Sequence, residues 1–162
     1  MNSLQNILYI KQITNLKAAQ EPLIVITGDS DFLKQHSCLE IDKLLTKEKA
    51  KSSRINTEKI SYEEIGEVLQ QHSLFSEKFH YFAESFDQNK AFVQFLSKVK
   101  NTKELSNSLV LIAKQKKLPS ELNKTLLNLG AIFIQCTQPR AFEFNLFVSY
   151  LASTKKISLD KK

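Results

Sequence analysis

Glycine and proline are scarce in this 162-residue chain, three of each, and tryptophan is absent. So few chain-breaking residues exclude collagen-like, linker-like and disordered compositions. No apolar run approaches the ~18–20 residues needed to cross a bilayer. The opening Met1-Asn2-Ser3-Leu4-Gln5 lacks the basic-then-apolar order of a signal peptide. The only cysteines, Cys38 and Cys136, give neither a disulfide framework nor a zinc-ligand spacing. These absences lead to the expectation of a reduced, soluble, cytoplasmic domain with no membrane partner.

What is present fits one compact domain. Hydrophobic residues make up 42% of the chain and charged residues 25%, and ~150 residues can bury roughly 70% of the surface that the unfolded chain exposes. The formal net charge of +6 favours contact with acidic partners in general. Its lysines cluster at residues 43–59 and 114–117 without interleaved aromatics, so they read first as a solvated surface rather than a single-strand stacking platform. A basic DNA-binding domain is the reading this charge would otherwise suggest.

Along the chain, apolar residues at helical spacing predict a first helix within residues 4–19. Leu23-Ile24-Val25-Ile26-Thr27 predicts a buried parallel strand, broken by Gly28-Asp29-Ser30-Asp31, where Ser30 or Asp31 would cap a helix running to about Lys49. Residues 54–59 read as a modest second strand, and Ser61-Tyr62-Glu63-Glu64 as a capping box opening another helix. Residues 79–83 read as an aromatic strand, with Asp87 capping the helix after it. A further buried strand is expected at residues 108–113 and a third strong strand at 131–135, separated by a helix between Pro119 and Gly130. A last amphipathic helix starts near Pro139 and carries Phe142, Leu146, Phe147, Tyr150 and Leu151. Apolar strands alternating with helices specify an α/β fold: a mostly parallel sheet, covered on both faces, in three layers.

Ligands of such sheets usually bind at the carboxyl ends of the strands. The turn Gly28-Asp29-Ser30-Asp31-Phe32-Leu33-Lys34 has a single glycine, two acids and no Lys-Ser or Lys-Thr pair, which does not suit a phosphate-binding loop. The strand at residues 108–113 ends in Lys114-Gln115-Lys116, where a nucleotide hydrolase would hold acids. Asp29 and Asp31 leave open a magnesium-dependent nucleotide-binding or phosphotransfer domain, although turn-forming and capping acids account for the pair as well. His36, His72 and His80 lack metal-ligand spacing. Cys38, Cys136, Tyr150 and the phenylalanines read as core.

The connection Gln71-His72-Ser73-Leu74-Phe75 places two large apolar side chains next to each other between a helix and a strand. One alternative is an anchor for a partner's groove; the other is a plug at the sheet edge. The segment resembles the Gln-x-Ser/Asp-Leu-Phe peptide by which bacterial replication proteins dock on the sliding clamp. Its setting resembles the delta subunit of the bacterial DNA polymerase III clamp loader. Further matches in order and spacing are Leu23–Thr27 with Gly28-Asp29-Ser30-Asp31-Phe32-Leu33, residues 108–113 with Lys116-Lys117-Leu118, and residues 131–135 with the last helix.

The resemblance implies an N-terminal domain at residues 1–154, RecA-like and AAA+-like without a functional P-loop. Residues 155–162 would be a polar tail leading to an absent lid domain. It also implies a function in DNA replication: binding the beta sliding clamp through a plug of Leu74 and Phe75, flanked by Gln71 and Ser73, and favouring an opened ring. No catalytic residue, metal, cofactor or intrinsic ATPase activity is then expected. Other clamp-loader subunits would be partners only where a lid and collar exist in the full protein, and DNA would be contacted indirectly.

Overall fold

The computed structural model describes residues 8–70 and 77–156. Five strands, β1 (Leu23–Thr27), β2 (Lys51–Ile55), β3 (Phe79–Glu84), β4 (Ser108–Ile112) and β5 (Ile132–Gln135), form one sheet. Its order is β2-β3-β4-β1-β5, and every pairing is parallel. Parallel neighbours need crossovers, and helices supply them: α2 (Asp31–Lys47), α3 (Tyr62–Gln70), α4 (Lys90–Lys98) and α5 (Ser120–Asn128), with α1 (Leu8–Thr14) before β1 and α6 (Phe144–Thr154) after β5. The result is the three-layer α/β architecture that the alternation predicts, consistent with a RecA-like core.

Side-chain alternation along the central strands divides the core in two. Ile24, Ile26, Val110 and Ile112 face a layer of α1, α2 and α6, packing with Tyr9, Ile10, Ile13, Ile41, Leu45, Phe147 and Tyr150. Leu23, Val25, Leu109 and Leu111 face α3, α4 and α5 through Ile65, Leu69, Phe92, Leu96, Leu122 and Leu126. Both faces of β1 and β4 are therefore dry, which is why these two strands read as unbroken apolar runs.

The edges explain where the sequence misled. β2 lies at residues 51–55, not 54–59; it is an outer strand whose residues are all exposed but Ile55, so apolar content does not mark it. Lys51, Ser52, Ser53 and Arg54 give it the polar, charged edge that discourages pairing with another chain. In α1 the buried residues are Tyr9, Ile10 and Ile13, while Leu8 is exposed. Phe32 and Leu39 of α2 are also exposed, as are Phe142 and Phe144, so the phenylalanines are not uniformly core. The last helix begins at Phe144, after a single 3-10 turn over Ala141–Glu143.

Capping signals were mostly sound. Ser30 Oγ accepts the Leu33 N–H at 3.2 Å. The Ser61–Glu64 box closes both ways: the Ser61 N–H donates to Glu64 Oε2 at 2.7 Å and the Glu64 N–H to Ser61 Oγ at 3.2 Å. Gly130, at φ +77°, ends α5. Asp87 does not cap α4, however; Asn89 does, accepting the Phe92 N–H at 3.2 Å.

Two histidines are buried at a cost. His36 Nδ1 lies 2.7 Å from Tyr9 Oη, but its Nε2 has no hydrogen-bond partner among the described residues, and the Glu40 carboxylate stands 3.9 Å away. His80 Nδ1 is likewise unpartnered, and so is the Oγ of Ser108, its cross-strand neighbour on β4. Burial holds both imidazoles below the usual histidine range; Glu40 opposes this at His36, whereas Lys78 reinforces it at His80. As pH falls through about 6.5 the unfolded chain protonates first, so the unfolded state binds more protons and stability falls with pH. Urea unfolding at pH 7.5 and pH 5.5 should show lower stability at pH 5.5, and His36→Gln with His80→Gln should flatten that dependence. An unchanged slope in the double variant would assign it to other groups.

Candidate functional site

At the carboxyl edge of the sheet, the β1–α2 turn is closed by its own chain. The β1–α2 turn is only Gly28, Asp29 and Ser30, and Cys136, just beyond β5, holds it from both sides. The Cys136 N–H donates to Thr27 O at 2.7 Å, and the Ser30 N–H donates to Cys136 O at 2.9 Å. Gly28 sits at φ +126°, and a Cβ there would lie 2.3 Å from Cys136 O. Close backbone approach, rather than a phosphate, is what this glycine serves.

Asp29 of the turn and the neighbouring Lys116 are also engaged. Asp29 Oδ1 accepts the Gln138 N–H at 3.0 Å and its Oδ2 lies 3.2 Å from Lys116 Nζ. The backbone bond and then the lysine hold this carboxyl below its ordinary range. Asp29 and Asp31 line different clefts: Asp29 one of 650 Å³ with Lys116, Lys117 and Lys124, and Asp31 one of 450 Å³ between α2 and the ends of β3 and β4. The structure thus does not gather them into one acid pair, and no group of three or more His, Cys, Asp or Glu side chains suited to a metal occurs among the described residues. Asp87 accepts the N–H groups of Lys114 and Gln115 at 2.8 and 2.9 Å, tying the end of β4 to the chain after β3. Lys34 reaches across to donate to Ala113 O at 2.9 Å.

Cys38 and Cys136 are both buried, as core cysteines. Burial pushes each thiol up to about 11, so neither supplies a thiolate nucleophile near neutral pH.

The opposite, amino edge carries the connection from α3 to β3. Gln71, Ser73, Leu74 and Phe75 lie outside the described residues, but both anchors of their segment are described. Ile65 and Leu69 seat α3 in the core with no exposed surface. The Asn107 side chain then links the two ends: its Nδ2 donates to Val68 O at 2.8 Å in the last turn of α3, and its Oδ1 accepts the Phe79 N–H at 3.1 Å at the start of β3. Ser106 adds its N–H to Leu69 O at 2.9 Å and its hydroxyl to Gln70 O at 3.0 Å, satisfying carbonyls that a helix end leaves open. Glu77 pairs with Lys51 of β2, whose ammonium lies 5.8 Å from the centre of the Phe79 ring. Nothing in the local sequence of Ser106-Asn107 marks this clasp, because its partners are 28 and 39 residues away.

The chain matches no family model, and no curated protein matches it. Among the described residues no helix is long and apolar enough to cross a membrane.

Two substitutions test this geometry. Gly28→Ala should destabilise the fold by about 3 kcal/mol or more, since backbone strain and a clash with Cys136 add. Gly130→Ala, with nothing within 4 Å of the added Cβ, should cost only about 1 kcal/mol. Denaturant titration of both variants reads the contrast, and equal losses would mean that the Cys136 contact yields easily. Asn107→Ala should cost about 1–3 kcal/mol by leaving a part-buried donor and acceptor without their side-chain partner, and hydrogen exchange should quicken at the Phe79 amide.

Proposed function

We propose that this chain is a clamp-binding module of the delta type, the N-terminal, RecA-like domain of a clamp-loader subunit that acts in DNA replication. The observation that carries the reading is the division between the two sheet edges. At the carboxyl edge, where a nucleotide hydrolase of this architecture needs free turn amides, the Ser30 N–H is spent on Cys136 and the glycine is packed against its carbonyl. At the amino edge, Asn107 clasps both ends of the connection bearing Gln71-His72-Ser73-Leu74-Phe75. A scaffold whose β1–α2 turn offers no phosphate cradle, and which holds a Leu-Phe segment at fixed ends, suits a binding role better than a hydrolytic one.

In this reading Leu74 and Phe75 enter an apolar pocket on the beta clamp, with Gln71 and Ser73 as polar flanks. Burying two such side chains contributes ~1.5–3 kcal/mol each, against an association cost of ~4 kcal/mol or more. The plug alone therefore does not make the interface tight, and contacts flanking it must add to the affinity. Favouring of an opened ring follows if the plug binds the open clamp better than the closed one.

The test is calorimetric titration of the chain with the sliding clamp of its source organism, beside a Leu74→Ala/Phe75→Ala variant. The parent should bind, and the variant should lose about 3 kcal/mol or more, on the order of a hundredfold, with an unchanged circular dichroism spectrum and melting temperature. A folded parent that does not bind the clamp refutes the reading, and a double variant that unfolds assigns the pair to the core instead.

A further inference from the structure

Lys34 presents a problem that the fold does not solve. Only 6% of its surface is exposed, and its ammonium donates to one carbonyl, Ala113 O, at 2.9 Å. Lysine has three N–H donors and a full charge, yet among the described residues no carboxylate stands within ion-pair distance of it. A buried ammonium without a counter-ion is costly, and a fold that keeps one usually gives it an anion to meet.

The space for such an anion adjoins it. Lys34 lines the 450 Å³ cleft between α2 and the carboxyl ends of β3 and β4, together with Arg54, Lys114, Asp31, Glu84 and Ser85. Three cations thus face two carboxylates, and one of those, Glu84, is 3.0 Å from Arg54 and engaged by it. Ser85 forms the turn out of β3 at φ +55°, a conformation rare for a residue with a side chain, and its N–H is fixed on Ile112 O at 2.8 Å. The location is also where open parallel sheets bind ligands. The cleft does not include the β1–α2 turn: Gly28 and Asp29 line the other cleft.

We propose that this cleft binds a small phosphorylated ligand, with the Lys34 ammonium as its innermost contact and Lys114 and Arg54 at the rim. A phosphate group supplies several acceptor oxygens to the two remaining Lys34 donors and the counter-charge that the lysine lacks. The inference is independent of clamp binding, which concerns the opposite edge of the sheet.

Inorganic phosphate and pyrophosphate are the probes, titrated into the full chain at ionic strength held constant with chloride. A saturable rise in melting temperature is expected with either, together with amide shifts in nitrogen–proton correlation spectra at Lys34, Ser85 and Ala113. Lys34→Met, which keeps the length and removes the charge, should weaken binding about tenfold or more, and Lys114→Gln by a smaller factor. Should Lys34→Met not fold, the amide shifts of the parent decide alone. No saturable response to either probe overturns the proposal, as does equal affinity in folded Lys34→Met. Shifts confined to Lys116, Lys117 and Lys124 overturn it too.

Discussion

The structure depends on keeping β1 dry on both faces. Leu23, Ile24, Val25 and Ile26 are essentially without exposure, and β1 is hydrogen-bonded to β4 on one side and β5 on the other. A strand in that position has no polar surface to offer water, so its backbone groups must be paired in the ladder and its side chains covered by helices. The two separate cores follow from this, since alternate residues of one strand nucleate opposite layers. The closed turn follows as well: with β5 alongside, the backbone beyond β5 passes against Gly28, and Cys136 is drawn onto the turn.

That same constraint decides what was legible in the sequence. Buried parallel strands advertise themselves as unbroken β-branched or leucine runs, and Leu23–Thr27 and Ser108–Ile112 were placed to within a residue. Local capping chemistry was equally readable at Ser30, at Ser61 with Glu64, and at Gly130, because each signal acts within three or four residues. Legibility failed where the deciding partner is distant or absent. β2 is an exposed edge strand and owes its place to pairing with β3, so its lysine and serines carry no periodic mark. Asp87 has the composition of a helix cap but is taken by two amides from beyond β4, leaving Asn89 to cap α4.

The candidate sites divide along the same line. The missing phosphate loop could be read from the turn at residues 28–34 alone, because a loop that wraps a phosphate needs glycines at fixed offsets. The structure adds the physical reason why the turn stays closed, the Cys136 carbonyl against Gly28, which no local pattern encodes. Asn107 was invisible for a further reason. An asparagine between two structural elements is ordinary, and only folding brings Val68 O and Phe79 N within reach of one amide. Residues Gln71, Ser73, Leu74 and Phe75 are legible as a motif, and on the proposed reading their use depends on this clasp for its end points.

A parallel sheet has chemically unequal edges, and this chain uses them unequally. At the carboxyl edge strands run into helix starts, where turn amides and buried cations gather; closing the β1–α2 turn removes one ligand position there but leaves Lys34 uncompensated beside an open cleft. At the amino edge helices run into strands, and the connections there end on carbonyls that need donors. Ser106 and Asn107 supply those donors to α3, and in doing so fix the separation of the two ends from which the Leu-Phe segment departs. Fixing the ends of a connection lowers the entropy that it loses on binding. A short apolar plug of limited area then retains more of its burial energy as affinity. On the proposed reading the polar clasp and the apolar plug are complementary parts of one binding device, and a central sheet dry on both faces is what holds the clasp in place.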